Sequence, residues 1–224
     1  MSDIKPDQHD EHKERLGRPP YCLSEDKKKD GFKAKWTGQC YCGNVQYEID
    51  QDPVDACYCH CRTCQRTHGA TYQWAAIVPK DAMHFKSGEG NLHFYSTNHK
   101  KMEYVLPCKV SCGMCQSPIM DEGRNMCLIF PGLIHGMHEG ELKHNGPFKA
   151  SHHMFYESCV EDIANDSIAK FSGKKGEGPM NEAAHKMMPE IKKKQAEKEE
   201  KKKREKEESD KEGGDDSSKK QKKE

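Results

Sequence analysis

An all-β domain bound to zinc is the fold class this chain predicts, and three observations predict it. Short apolar runs alternate with period two and are cut by glycine and proline, which is the pattern of half-buried strands and turns. Cysteines recur along those runs at Cys-x-Cys and Cys-x-x-Cys spacings, the pattern of metal ligands. Charge, in contrast, gathers at the two ends. Of 224 residues, 37 are basic and 37 acidic, and the apolar fraction of 33% is below the globular norm. That deficit divides the chain into a disordered N-terminal segment (1–30), a β domain (31–174) and a charged, helical or disordered tail (175–224).

Zero net charge leaves no overall field to draw the protein to nucleic acid or a membrane. The N-terminus has no apolar signal core, and no run is long enough to span a bilayer. The expectation is a soluble protein of the cytoplasm, with the nucleus as the alternative. Twelve cysteines in such a compartment are metal ligands or free thiols sooner than disulfides.

The strands follow in order. Lys33 to Ile49 reads as a strand, a glycine turn and a second strand, in which Val45, Tyr47 and Ile49 alternate with Asn44, Gln46 and Glu48. Val54 to Cys59 is a short strand entering a cysteine turn. Tyr72 to Val78, Met83 to Lys86, Leu92 to Tyr95, Met102 to Leu106, Met126 to Phe130 and His152 to Tyr156 complete the set. Trp74, Phe85, Phe94 and Tyr104 belong to the core. His135, His138 and His144 sit in a glycine-rich stretch and read as solvent-facing. Cys22 reads as a solvated thiol. The tail carries i,i+4 pairs (Glu197/Lys201, Glu199/Lys203, Glu200/Arg204) without an apolar stripe, so it is no coiled coil.

Cys57-Tyr-Cys59-His-Cys61-Arg-Thr-Cys64 places four thiols in eight residues. On extended chain a Cys-x-Cys pair falls on one face, and the following Cys-x-x-Cys turns back on it. Cys59, Cys61 and Cys64 can thus give three thiolates to one tetrahedral zinc, leaving a position open, as reactive zinc sites do. In the alternative, Cys57 or a distant residue fills that position and the metal is structural. Cys40 and Cys42 at one turn, with Cys112 and Cys115 at another, make a closed four-thiolate set, which is structural.

Gly38-Gln-Cys40-Tyr-Cys42-Gly43, then Cys59-His-Cys61-Arg-Thr-Cys64, then Cys112-Gly-Met-Cys115, in that order, resembles the glutathione-dependent formaldehyde-activating enzyme family, which includes centromere protein V. The likeness runs from Trp36 to Gly173 and extends to Ser117-Pro118-Ile119, His153 to Tyr156, Asp162-Ile163 and Lys170-Phe171. It implies a β-tent fold with two zinc ions: a structural one on Cys40, Cys42, Cys112 and Cys115, and a reactive one on Cys59, Cys61 and Cys64. Three departures stand out: Cys57 outside the motif, Gln116 where a glycine usually follows the knuckle, and Cys159 in place of a basic residue.

On this reading the chain is a carbon–sulfur lyase or synthase acting on a thiol and an aldehyde, with glutathione the expected thiol. Arg62 and Arg66 are candidates for its carboxylates. The competing reading is a zinc-stabilised module that recruits a protein or chromatin partner through the charged tail. Oligomeric state is left open.

Overall fold

The computed structural model describes residues 15–137, 146–163 and 166–212, with side chains given through 205. Among the described residues, twelve strands form two sheets. A small one has the order β1 (Trp36–Gln39), β2 (Gln46–Ile49), β5 (Met83–Ser87). The large one runs β12 (Ala169–Lys170), β11 (His152–Met154), β3 (Asp55–Cys59), β4 (Gln73–Pro79), β10 (Met126–Ile129), β9 (Pro118–Glu122), β8 (Cys108–Cys112), β6 (Leu92–Ser96), β7 (Lys101–Met102). Pairing is antiparallel except at one edge, where β11 lies parallel to both β3 and β12.

Alternation explains which way the strands face. In β2, Tyr47 and Ile49 are buried while Gln46 and Glu48 are not, and in β8 Cys108, Val110 and Cys112 point inward. One core joins the sheets: Val45, Tyr47, Ile49, Met83 and Phe85 from the small sheet meet Ala76, Val78, Val110, Ile119, Met120 and Ile129 from the large one. The packing is close enough to require glycine at position 38. A Cβ there would lie 2.5 Å from the ring of fully buried Tyr47.

The expected strands form, joined by β8 and β9, which the expected set lacked, and several expectations are corrected. The strand at Met102 to Leu106 is only Lys101–Met102, because the chain then turns inward and Tyr104 donates to Glu122 (2.8 Å). The last strand stops at Met154, since Phe155 takes a left-handed conformation (φ 54°).

The N-terminal segment, expected to be disordered through residue 30, is folded over its described part. Tyr21 is buried, stacks on Phe85 at 5.4 Å and donates to the fully buried Glu122 carboxylate at 2.5 Å. Arg15 lies 4.3 Å over the Tyr21 ring and 4.5 Å over Phe94, and Glu25–Asp30 forms a short helix, α1, capped by Ser24. Sequence periodicity missed this because it is one aromatic anchor and not a repeating stripe.

The domain also continues past residue 174. Helix α3 (Glu182–Glu212) begins at Asn181, whose side-chain oxygen accepts from Ala184 N–H (3.0 Å) and from Lys170 N–H (3.1 Å). Ala184, Met187, Met188 and Ile191 then pack on Ala169 and Phe171. From Lys192 to Glu205 its described side chains are exposed, with Glu200 pairing Arg204 as anticipated. No helix among the described residues is long and apolar enough to cross a membrane.

Tyr21→Ala is expected to lower stability by about 3 kcal/mol through lost ring burial and the loss of one hydrogen bond to buried Glu122, which keeps Tyr104 and Lys80. Urea unfolding checks this, and an unchanged midpoint would mean that the N-terminal segment is not packed on the domain.

Candidate metal centres

Two cysteine clusters form, each with its sulfurs within 4.8 Å of one another: Cys40, Cys42, Cys112 and Cys115, and separately Cys59, Cys61 and Cys64. All seven cysteines singled out from the sequence therefore fall into the two expected groups.

The first cluster is built from two hairpin turns. Cys40 follows β1 directly and Cys42 lies in the turn to β2, where Val45 N–H donates to Cys40 Sγ at 3.3 Å. Cys112 ends β8, and Cys115 lies in the turn to β9. That turn is tight: Gly113 N–H reaches Asn91 O at 2.6 Å, and a Cβ on Gly113 would meet that oxygen at 2.8 Å. Gln116 sits at φ 61°, a left-handed position that favours glycine, so the departure noted above costs backbone strain. Ser117 staples the turns, its Oγ accepting from Tyr41 N–H (3.1 Å) and lying 3.2 Å from Cys115 Sγ. Hydrogen bonding from Ser117, by its hydroxyl and its backbone, stabilises the thiolate and draws the Cys115 thiol down to about 5.

Cys40 and Cys42 sulfurs are 3.5 Å apart, and those of Cys42 and Cys112 3.9 Å. Four sulfurs at about 2.3 Å from a tetrahedral zinc would stand about 3.8 Å from one another, so this donor set fits that ion.

The second cluster spans a strand end and a helix start. Cys59 closes β3, and Cys61 is the N-cap of α2 (Arg62–His68), its sulfur accepting from Cys64 N–H at 3.4 Å. The expected tight turn is thus the first turn of a helix, which the sequence reading missed because seven residues are too few to show a 3.6-residue period. Cys59 and Cys64 are buried and Cys61 is half-buried, so the group meets solvent at Cys61. Hydrogen bonds from Cys59 and then Cys64 lower the Cys61 thiol pKa. Cys57 is not among the sulfurs brought together; it is fully buried against β4, and burial pushes its thiol up to about 12.

A lysine that the sequence reading passed over completes the electrostatics. Lys109 Nζ lies 3.5 Å from Cys64 Sγ and donates to Asp121 Oδ2 (2.6 Å) and Gln73 Oε1 (3.0 Å). Burial opposes its charge, but Asp121 and Cys64 outweigh burial and hold it protonated. His68 Nε2 is 3.5 Å away. These groups come from α2, β4, β8 and β9, and no local motif links them. Arg62 and Arg66 are exposed on α2, Arg62 donating to Gln65 Oε1 at 3.0 Å. Gln65 in turn donates to Ser158 O at 2.8 Å, which places Cys159 next to an α2 contact. His135 is bonded to Thr37 (2.8 Å) and joins neither cluster; His138 and His144 lie outside the described residues.

The model of the glutathione-dependent formaldehyde-activating enzyme family matches residues 35–159, more than half of the chain. The protein belongs to that family. The match takes in both clusters and stops before the Lys170-Phe171 end of the likeness seen in the sequence. No curated protein matches. A crystal structure of a Rhodobacter sphaeroides protein is 21% identical, covering 45% of this chain and 88% of that one at a TM-score of 0.37, too low to bear on the fold.

Lys109→Met is expected to cost about 3 kcal/mol, because it removes the only cation paired with Asp121 among the described residues and leaves that carboxylate the Gln73 amide. Adding Asp121→Asn should cost less than the sum of the two single changes. Additive denaturation energies would show that the pair is not coupled.

Proposed function

We propose that this chain is a zinc-dependent carbon–sulfur lyase or synthase acting on a thiol–aldehyde adduct such as S-(hydroxymethyl)glutathione. The observation that carries the reading is the contrast between the clusters. One gathers four sulfurs, a closed set, and the other three, with its solvent-facing side at Cys61. Four thiolates saturate a tetrahedral ion and three leave a position for an incoming group. The family name, an enzyme that acts on formaldehyde with glutathione, agrees with that division.

In the forward direction the S–H bond of the thiol breaks and its sulfur bonds the aldehyde carbon. The carbonyl π pair goes to oxygen, which takes up the proton; the reverse returns thiol and aldehyde. Cys59, Cys61 and Cys64 would hold the reactive zinc, which supplies a centre where a thiol loses its proton near neutral pH. Cys40, Cys42, Cys112 and Cys115 would hold the structural one. Three thiolates outweigh the charge of one zinc ion, and Lys109 offsets the excess from 3.5 Å, donating to Cys64 and keeping electron density off the site. Buried Gln73 orients Lys109 through its side-chain oxygen. Arg62 and Arg66, exposed on the helix that carries Cys64, are placed to meet a glutathione carboxylate.

A second reading rests on α3, whose charged part beyond Ile191 has exposed side chains through Glu205 and suits recruitment of a protein or chromatin partner. Truncation after Gln195, which keeps the packed base of the helix, separates the two: the lyase keeps its turnover, and the module loses its partner.

The purified, reduced protein is expected to hold about two zinc ions, one of them perturbed by glutathione. Cys61→Ala should abolish adduct turnover while the fold and the other zinc remain. An active Cys61→Ala protein, or one zinc ion indifferent to glutathione, would overturn the lyase reading.

A further inference from the structure

His60 stands between Cys59 and Cys61, yet its side chain belongs to a different network. Its ring is buried among Tyr72, Tyr156 and His153, at centroid distances of 5.4, 5.1 and 5.1 Å. His60 Nε2 is 2.8 Å from His153 Nδ1, and His153 Nε2 is 2.5 Å from Asp166 Oδ2. Both imidazoles are at most 1% exposed. The proton order follows from the end of the chain. Asp166 also accepts from Ile168 N–H (3.1 Å) and Lys170 Nζ (3.2 Å), so its carboxylate is an acceptor only. His153 must therefore donate from Nε2, which leaves its Nδ1 as acceptor for His60 Nε2–H. One tautomer of each ring satisfies the line, and the ring of His60 is held in one orientation.

The backbone reinforces the same point. His60 N–H donates to Met154 O at 3.0 Å, next to His153 on β11. Cys59–Cys61, which leaves β3 before α2 begins, is thus pinned at its middle residue by main chain and side chain together. At the four-thiol cluster the corresponding middle residue, Tyr41, is tied only by its main chain, to Ser117 Oγ, and its own side chain is exposed.

We propose that Asp166 and His153 are positioning residues that act through His60 to set the spacing of Cys59 and Cys61, so that metal affinity at the three-thiol cluster, and not at the four-thiol cluster, depends on them. This rests on the reading that the three thiols hold a metal. Partners that orient groups around a metal site typically change its affinity 10–100-fold when removed. Here the effect passes through the backbone of a residue between two ligands, which places it at the lower end.

The test is zinc release to a chromogenic chelator from the full chain, alongside the cobalt(II) absorption spectrum and thermal unfolding. Asp166→Ala and His153→Ala are expected to weaken the second metal about tenfold and shift its cobalt bands, with the first metal unchanged. Asp166→Asn, which still offers His153 an acceptor, should recover most of the loss. Tyr156→Phe removes an equally local hydrogen bond, from Tyr156 Oη to Asp162 at 2.6 Å, without touching the line. It should lower stability and leave the second metal alone. Wild-type affinity and cobalt bands in Asp166→Ala would overturn the proposal, as would equal metal loss in Tyr156→Phe. A wild-type chain that holds one zinc would overturn the two-site reading as well, so the two failures are told apart by the unmutated protein.

Discussion

Much of this architecture depends on one junction, the meeting of four sulfurs from two hairpin turns seventy residues apart in sequence. Cys40 and Cys42 lie in the β1–β2 turn of the small sheet, and Cys112 and Cys115 at the end of β8 and in the turn to β9 of the large one. Four thiolates this close would repel, so a cation among them would be favourable, and the spacing fits zinc. A metal there would clamp the two sheets over their shared core, and its binding energy would be folding energy. Gly38, Gly113 and Ser117 all serve that closure: the first lets Tyr47 lie against β1, the second lets a turn approach Asn91, and the third ties one turn to the other.

The second cluster has a different construction, and the difference suits a different task. Its three thiols straddle the end of a strand and the start of a helix, so the group has an inner face and an outer one. Inside, Lys109 brings a positive charge against the thiols, held by Asp121 and Gln73. Outside, Cys61 meets solvent. The parallel insertion of β11 beside β3 supports this site from the other direction, since it sets His153 and Met154 against the segment between Cys59 and Cys61. An antiparallel hairpin neighbour would have served the sheet equally well. The parallel one brings a distant strand, and with it a buried polar line, to the place where the ligands are.

Charge at the two ends of the chain has two meanings. The N-terminal segment looks solvated by composition, yet Arg15 and Tyr21 anchor it through ring stacking and a buried carboxylate. The C-terminal helix looks uniformly polar, yet its first turns carry Ala184, Met187, Met188 and Ile191 to Phe171. Beyond Ile191 the apolar anchors stop, and the composition and the structure agree again.

How much of this was legible in the chain follows from the range over which each feature is encoded. Strand alternation, turn glycines and cysteine spacing are local, so the all-β class, the pairing of Cys40/Cys42 with Cys112/Cys115, and the trio Cys59, Cys61 and Cys64 were readable before any coordinates. Local spacing left Cys57 undecided; only the tertiary structure shows that β3 carries it into the interior, away from the trio. The sequence likewise had no means of naming Lys109, Asp121, His153 or Asp166 as neighbours of the site. Each reaches it through strand order and register, which arise from many weak packing preferences summed over the whole sheet. A thiol pair two residues apart is decided by the geometry of one strand; a lysine forty-five residues from its sulfur is decided by the fold.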